Sequence, residues 1–227
     1  MLTKDENKYK GNGKPNSIVE WHGTDTRELA HYNKDKEIDP RCRDTKYKFN
    51  NQGFRSEEFR ANKECAIFFG CSYTVGEGVP EEYIWPTLVA KHLGVYCYNM
   101  GVSGGSNDTA FRLAQFWIPK LNPKYVFMLS PSDHRIELLS RYNPPYSLTP
   151  TGHGGHKRFY LDWIDEPLNC TLNRQKNILA IQHIYKDLIV VNSEELEFKD
   201  LGRDLMHPGI ETHQHIAQLM IKQTENF

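Results

Sequence analysis

Four short, mainly apolar runs are the feature that most constrains how this chain can fold. They occupy residues 65–69, 95–99, 125–129 and 188–191. Each has the length of a buried strand, and turn or helix signals separate one from the next. Strands that alternate with helices predict a parallel sheet with helices on both faces. We therefore expect an α/β fold, specifically a three-layer α/β/α sandwich with a mainly parallel sheet of four to five strands.

Apolar residues at helical spacing mark the segments between the runs. Pro86 would lie in the first turn of one helix, and Gly94 would end it. An amphipathic segment also extends to Trp117. The same periodicity predicts helices over residues 82–92, 173–186 and 211–223.

The N-terminal part of the chain differs from the rest in composition. Residues 1–46 are polar, and residues 47–55 alternate aromatic and polar side chains before a turn, which predicts a short strand. We expect residues 1–60 to form a polar N-terminal extension packed on a core domain, residues 61–227. Within that domain, residues 140–172 form a polar and aromatic insertion of the kind that shapes access to a site.

Charge and composition argue against several classes of partner. The formal net charge is −1 and the Lys and Arg residues are scattered, so no nucleic-acid partner is expected. The first residues lack the apolar core of a signal peptide, and no apolar run approaches the ~20 residues that span a bilayer. The chain has five cysteines and no Cys-x-x-Cys pair, which favours reduced thiols. We expect a cytoplasmic protein with no membrane span, whose oligomeric state the sequence leaves open.

Two polar motifs stand where a parallel sheet would gather reactive groups. Ser72 follows the first apolar run, so it would lie at the carboxyl end of a strand. Near the C-terminus, Asp204 precedes His207 by three residues, and a Pro-Gly pair closes that turn before the last helix. A carboxylate that orients a histidine and a histidine that takes the proton of a serine are the parts of nucleophilic catalysis. Ser72, His207 and Asp204 are the candidate nucleophile, base and acid.

A glycine-rich loop, residues 101–108, follows the second run and leads into an amphipathic segment. Its backbone N–H groups could receive an anion. The loop lacks both the ending of a P-loop and the spacing of a dinucleotide fingerprint, so we predict no cofactor. His213 and His215 would point to different sides of the last helix, which favours solvated histidines and predicts no metal.

These motifs, in this order, resemble the sequence blocks of the SGNH (GDSL-type) hydrolases. That superfamily has Gly-Asp-Ser and then Ser or Thr in its first block, against Gly70-Cys71-Ser72-Tyr73-Thr74 here. The glycine block is matched by Asn99-Met100-Gly101-Val102-Ser103-Gly104, and the last block by Asp204 and His207. The resemblance covers residues 61–227. The preceding Gly53-Phe54-Arg55 is similar to the segment before the first block in some microbial and phage members. The resemblance therefore implies a phage-encoded or microbial protein.

The chain departs from the superfamily pattern at two places. Cys71 replaces the Asp of the first block. Cys71 is also an alternative nucleophile, and in that case Ser72 would be redundant. Where the superfamily has Gly-x-Asn-Asp, whose Asn donates to the oxyanion, this chain has Ser130-Pro131-Ser132-Asp133. The resemblance implies an oxyanion hole made by the N–H groups of Ser72 and Gly104. Ser132 or Asn107 would then replace the missing Asn as a donor.

The resemblance implies a flavodoxin-like sandwich and a serine ester hydrolase that works through an acyl-enzyme, with no cofactor. Its partner would be a small-molecule or glycan ester. The polar, aromatic insertion favours carbohydrate O-acetyl esters over lipid esters, because sugars stack on aromatic rings. Two alternatives stay open. One is a weakened or inactive SGNH domain that binds a glycan or a protein, and the other is an acyltransferase on the same scaffold.

Overall fold

The computed structural model describes residues 6–139, 144–150 and 154–225. Its strands are β1 (Ser17–Val19), β2 (Tyr47–Phe49), β3 (Cys65–Gly70), β4 (Tyr96–Gly101), β5 (Tyr125–Ser130), β6 (Ile136–Leu138), β7 (Tyr146–Leu148) and β8 (Ile189–Asn192). Its α-helices are α1 (Arg27–Tyr32), α2 (Ser72–Val75), α3 (Trp85–Leu93), α4 (Asn107–Leu121), α5 (Lys157–Ile164), α6 (Pro167–Ile184) and α7 (Ile210–Thr224). In this described part of the chain, no helix is long and apolar enough to cross a membrane.

The centre of the fold is a four-stranded parallel sheet with the order β4-β3-β5-β8. Ile67 of β3 is paired with Tyr98 of β4 on one side and with Val126 of β5 on the other. All six residues of β3 are buried, as expected for a central strand covered on both faces. The order of the strands along the sheet is that of flavodoxin-like folds. The predicted parallel sheet is confirmed, with its four strands at the four apolar runs.

Helices cover both faces of this sheet. Side chains of β3 alternate, so that Ile67 and Phe69 contact the layer formed by α4 and α6, whereas Ala66 and Phe68 contact the layer formed by α3 and α7. On the second face, Phe68 stacks on Phe127 and meets Trp85 edge-on. The three-layer α/β/α sandwich predicted from the alternating pattern is therefore confirmed.

Two predicted helices begin at other residues in the structure. The helix predicted from residue 82 begins at Trp85, after a short 3₁₀ turn and an extended Ile84, and it places Pro86 in its first turn. The helix predicted from residue 173 begins at Pro167, where the Glu166 side chain accepts a hydrogen bond from the backbone N–H of Leu168. The first apolar residues of α6 are exposed in the structure. They do not belong to the buried face whose periodicity predicted the helix, and for this reason the start of α6 was placed too late.

His213 also differs from its prediction as a solvated histidine, because it is fully buried. It occupies the inner face of α7, at helical spacing from Ile210 and Ile216, and its Nδ1 accepts the backbone N–H of Trp85. Burial, the largest influence, lowers the pKa of His213 to about 3. His213 is thus a neutral hydrogen-bond acceptor between α7 and α3, while His215 is partly exposed.

The N-terminal extension is joined to the core by a buried ion pair. β1 and β2 form an antiparallel pair, and the loop between them supplies Asp25, which is fully buried. The guanidinium of Arg203 donates to both carboxylate oxygens of Asp25, at 3.0 and 2.6 Å, and also to the carbonyl of Glu20. The hydroxyl of Tyr47 donates to the same carboxylate. The extension therefore reaches the loop that precedes α7.

Removal of the Asp25 carboxylate should destabilise the protein strongly. In Asp25→Ala the Arg203 guanidinium stays buried without its counter-ion, which costs about 3–5 kcal/mol of unfolding free energy. Urea denaturation followed by circular dichroism measures this loss. The matched control is Asp35→Ala, an exposed position where a change within about 0.5 kcal/mol is expected. Equal stabilities of the two variants would show that the ion pair contributes nothing.

Candidate active site

Ser72 lies in a sharp turn between β3 and α2, where Gly70 ends the strand and Ser72 begins the helix. Gly70 has φ of 157°, and a Cβ on it would come within 2.1 Å of the Thr74 hydroxyl oxygen and 2.8 Å of the Leu129 carbonyl oxygen. A side chain at this position would push α2 away from the sheet. Glycine thus lets the chain reverse directly, and the turn presents Ser72 at the carboxyl edge of the sheet.

The structure brings His207 and Asp204 to Ser72. His207 Nε2 lies 2.8 Å from Ser72 Oγ, and His207 Nδ1 lies 2.6 Å from Asp204 Oδ2. Because an ionised carboxylate only accepts, Nδ1 carries a hydrogen and Nε2 is left as the acceptor for the serine hydroxyl. Asp204 Oδ1 accepts the backbone N–H groups of Met206 and His207, both at 3.1 Å, so the acid also fixes its own turn.

Burial and charge act on the pKa values of both groups. Burial is the largest influence on His207 and lowers its pKa, but the hydrogen bond to Asp204 and the charges of Glu77 and Asp204 raise the pKa above its ordinary value. For Asp204, burial is again the largest influence and raises the pKa, yet the hydrogen bonds from His207 and other donors leave it below the ordinary value. The pair therefore favours a charged carboxylate beside a histidine of increased basicity.

The glycine-rich loop turns between β4 and α4. Gly104 has φ of 71°, a left-handed conformation that suits glycine. Ser106 then caps α4 and forms a capping box with Thr109. Within the described residues, the backbone N–H groups of Ser72 and Gly104, the predicted oxyanion donors, donate to no protein acceptor.

The two side chains predicted as a third oxyanion donor have partners elsewhere. The Ser132 hydroxyl donates to Glu194 Oε1 at 2.9 Å and lies 3.2 Å from a nitrogen of His134. The Asn107 amide donates to the carbonyl of Pro131 at 3.2 Å, and its oxygen accepts the hydroxyl of Ser130 at 2.9 Å. Asn107 therefore joins the start of α4 to the end of β5.

Thr24 is a site residue that the sequence analysis missed. Its hydroxyl oxygen lies 2.9 Å from Asp204 Oδ2, 3.2 Å from His207 Nδ1 and 3.2 Å from Glu77 Oε2. With one hydrogen, the hydroxyl can donate to one carboxylate at a time. Asn33 adds a bond from its side-chain amide to the carbonyl of Asp204 at 3.2 Å. The N-terminal extension thus contacts the acid directly, and its polar sequence carried no signal of this.

Glu77 was also missed. It is 1% exposed, its Oε2 accepts the backbone N–H of Thr24 at 2.9 Å, and the same oxygen lies 3.9 Å from His207 Nε2. Its Oε1 has no hydrogen-bond partner within the described residues. A signal was present in the sequence, because Glu77 stands between Gly76 and Gly78 just after the serine block.

One possible ligand atom from each of Glu77, Asp204 and His207 lies within 4.8 Å of the other two, so a metal ion is a chemical alternative for this cluster. However, the two ring nitrogens of His207 already face Asp204 and Ser72 at hydrogen-bond distances. A metal on either nitrogen would displace one of these contacts. The arrangement as it stands favours proton transfer between Ser72 and His207.

Neither a scan of protein families nor a search of curated proteins finds a match to this chain. The structure is similar to solved structures at low identity. A protein of Desulfitobacterium hafniense DCB-2, described as lipolytic and of the G-D-S-L family, is 11% identical, with 70% of this chain and 98% of that chain covered and a TM-score of 0.41.

Two carbohydrate esterases show a comparable likeness. One is a carbohydrate esterase family 2 enzyme with a carbohydrate binding domain from Corynascus thermopiles (Myceliophthora fergusii), at 15% identity, with 72% of this chain and 66% of that chain covered and a TM-score of 0.43. The other is the acetyl xylan esterase Est2A of the rumen bacterium Butyrivibrio proteoclasticus, at 13% identity, 74% and 64% coverage and a TM-score of 0.40.

Proposed function

We propose that this chain is a serine ester hydrolase of the SGNH type. The observation that carries the proposal is the continuous series of hydrogen-bond contacts from Ser72 Oγ through both nitrogens of His207 to the carboxylate of Asp204. These three side chains have the geometry of a nucleophile, a base and the acid that orients the base. All three are buried or nearly so, which strengthens their electrostatic interactions.

The proposed reaction is acyl transfer to Ser72. Ser72 Oγ attacks the ester carbonyl while its proton passes to His207 Nε2, and Asp204 stabilises the imidazolium. The N–H groups of Ser72 and Gly104 receive the developing oxyanion. His207 then gives the proton to the leaving alcohol. A water molecule, deprotonated by His207, attacks the acyl-enzyme. The bond from the acyl carbon to Ser72 Oγ then breaks, His207 returns the proton to Ser72 Oγ, and the acid is released.

A small acyl group on a carbohydrate is the substrate we favour over a lipid ester. The described part of the insertion packs against the loop that follows β5, because the hydroxyl of Tyr160 in α5 donates to the carbonyl of His134. Tyr146 and Phe159 of the same region are exposed aromatic side chains. Exposed rings beside polar groups suit a sugar better than a long acyl chain, which would need an apolar trough.

Replacement of Ser72 tests the proposal directly. A fluorophosphonate probe should label the wild-type protein and not Ser72→Ala, and hydrolysis of 4-nitrophenyl acetate should fall by at least about 1000-fold in the variant. Cys71→Ala is the matched control, since it removes the neighbouring thiol and should keep the label. Labelling that depends on Cys71, or no labelling of folded wild-type protein, would reject Ser72 as nucleophile; the second result would favour the inactive, binding alternative.

The pH dependence of hydrolysis should follow His207. The imidazole must be neutral to take the Ser72 proton, and its pKa is raised above the ordinary 6.5. We therefore expect kcat/KM to fall as the pH falls through a value above 6.5. In Glu77→Gln, loss of one of the charges that raise this pKa should move the acid limb to lower pH. An acid limb at the same pH in both proteins would contradict this electrostatic role of Glu77.

Loss of the Thr24 hydroxyl should lower the rate without weakening substrate binding. Thr24→Val keeps the shape of the side chain but removes the hydrogen bond to Asp204, and one hydrogen bond to a charged group corresponds to about 10-fold or more in rate. We expect kcat to fall and KM to stay unchanged, with recovery in Thr24→Ser. If Thr24→Ser is as slow as Thr24→Val, the hydroxyl is not what positions Asp204.

A further inference from the structure

An arginine in the loop after β5 lies beside the glycine-rich loop. Arg135 Nη1 is 3.3 Å from the carbonyl oxygen of Gly105, which directly follows the candidate oxyanion donor Gly104. The residue is half-buried. Its positive charge acts in a minor way to lower the pKa of His207 and of Tyr73. Arg135 therefore lies next to the loop that carries Gly104.

Within the described residues, Arg135 has no acidic partner, unlike other arginines near it. Arg174 lies 3.0 Å from Asp133, and Arg112 lies 2.7 Å from Glu137. No carboxylate of the described residues comes within ion-pair distance of Arg135. A guanidinium has five N–H donors, and the single bond to Gly105 uses one of them.

The charges around the candidate site suggest what these free donors would bind. Asp204 and Glu77 are buried carboxylates on the side of His207, and they repel an anionic substrate. Arg135, on the side of the glycine-rich loop, is a cation that offsets this repulsion. The planar fork of a guanidinium also matches the two oxygens of a carboxylate or of a phosphate.

We propose that Arg135 forms a subsite for an anionic group of the substrate, so that the preferred ester carries a carboxylate or a comparable anion near its acyl bond. This inference rests on the proposed ester hydrolysis at Ser72. It adds a substrate class that the triad geometry alone does not specify. Arg135 would bind and orient the substrate rather than take part in proton transfer.

Matched neutral and anionic esters test the subsite. The first pair, 4-nitrophenyl acetate and 4-nitrophenyl hemisuccinate, places the carboxylate in the acyl part. The second pair, 3-O-acetylglucose and 3-O-acetylglucuronate, places it in the alcohol part. We expect the wild type to prefer the anionic member of at least one pair by about 10- to 100-fold in kcat/KM, the ratio that a charge-assisted hydrogen bond supplies.

In Arg135→Gln this preference should fall to about 3-fold or less, and Arg135→Lys should retain part of it. Arg60→Gln changes an exposed arginine in the segment before β3 and should keep the wild-type ratio. The proposal is overturned if the wild type shows no preference in either pair. It is also overturned if Arg135→Gln slows both members of a pair equally, which is the result expected of an oxyanion donor or of a residue that only holds the Gly105 loop.

A binding measurement separates this inference from the proposed hydrolysis. Calorimetry with Ser72→Ala should give a tighter dissociation constant for glucuronate or succinate than for glucose, and the difference should vanish when Arg135→Gln is added. If the wild type hydrolyses no ester and the probe leaves Ser72 unlabelled, the proposed function fails while the binding result still decides the subsite. Equal binding of both ligand types by Ser72→Ala would reject the subsite even in an active esterase.

Discussion

The buried ion pair between Arg203 and Asp25 is the interaction on which the geometry of the candidate site most depends. Arg203 precedes Asp204 directly, and besides Asp25 its guanidinium donates to the carbonyls of Glu20 and Arg43. A planar cation held from several directions has little freedom to rotate, so the backbone beside it is fixed. The turn that carries the acid and the base is thus held by the N-terminal extension, although the two segments are far apart in the sequence.

Parallel strands explain why groups so distant in the sequence meet at one place. The turn after β3 carries Ser72, and the loop after β4 carries Gly104, so both lie at the carboxyl edge of the sheet. The turn before α7 brings His207 to the same edge from the other end of the chain. Each side chain is then held by a short backbone segment on a rigid strand or helix, a condition for hydrogen bonds of 2.6–2.8 Å.

Much of this arrangement could be predicted from the sequence, because its signals are local. The apolar runs predict the strands, and the proximity of Ser72 and His207 follows from the edge shared by parallel strands. Thr24 could not be found, since a polar segment without periodicity gives no indication of what it will contact. His213 was misjudged because its partner, the Trp85 N–H, lies on a helix that packs against α7 only in the folded chain.

The distribution of charge around the site agrees with the proposed reaction. Two buried carboxylates, Asp204 and Glu77, lie on the side of His207 and favour a positive imidazole. In the proposed reaction, the N–H groups of Ser72 and Gly104, which donate to no acceptor of the described residues, receive the negative charge that develops on the substrate. Proton transfer from Ser72 to His207 creates charges of these signs in these positions, so the fixed groups stabilise the transition state without having to reorient. In the proposed subsite, the anionic group of a substrate lies beside the glycine-rich loop with Arg135 and away from the carboxylates of Asp204 and Glu77.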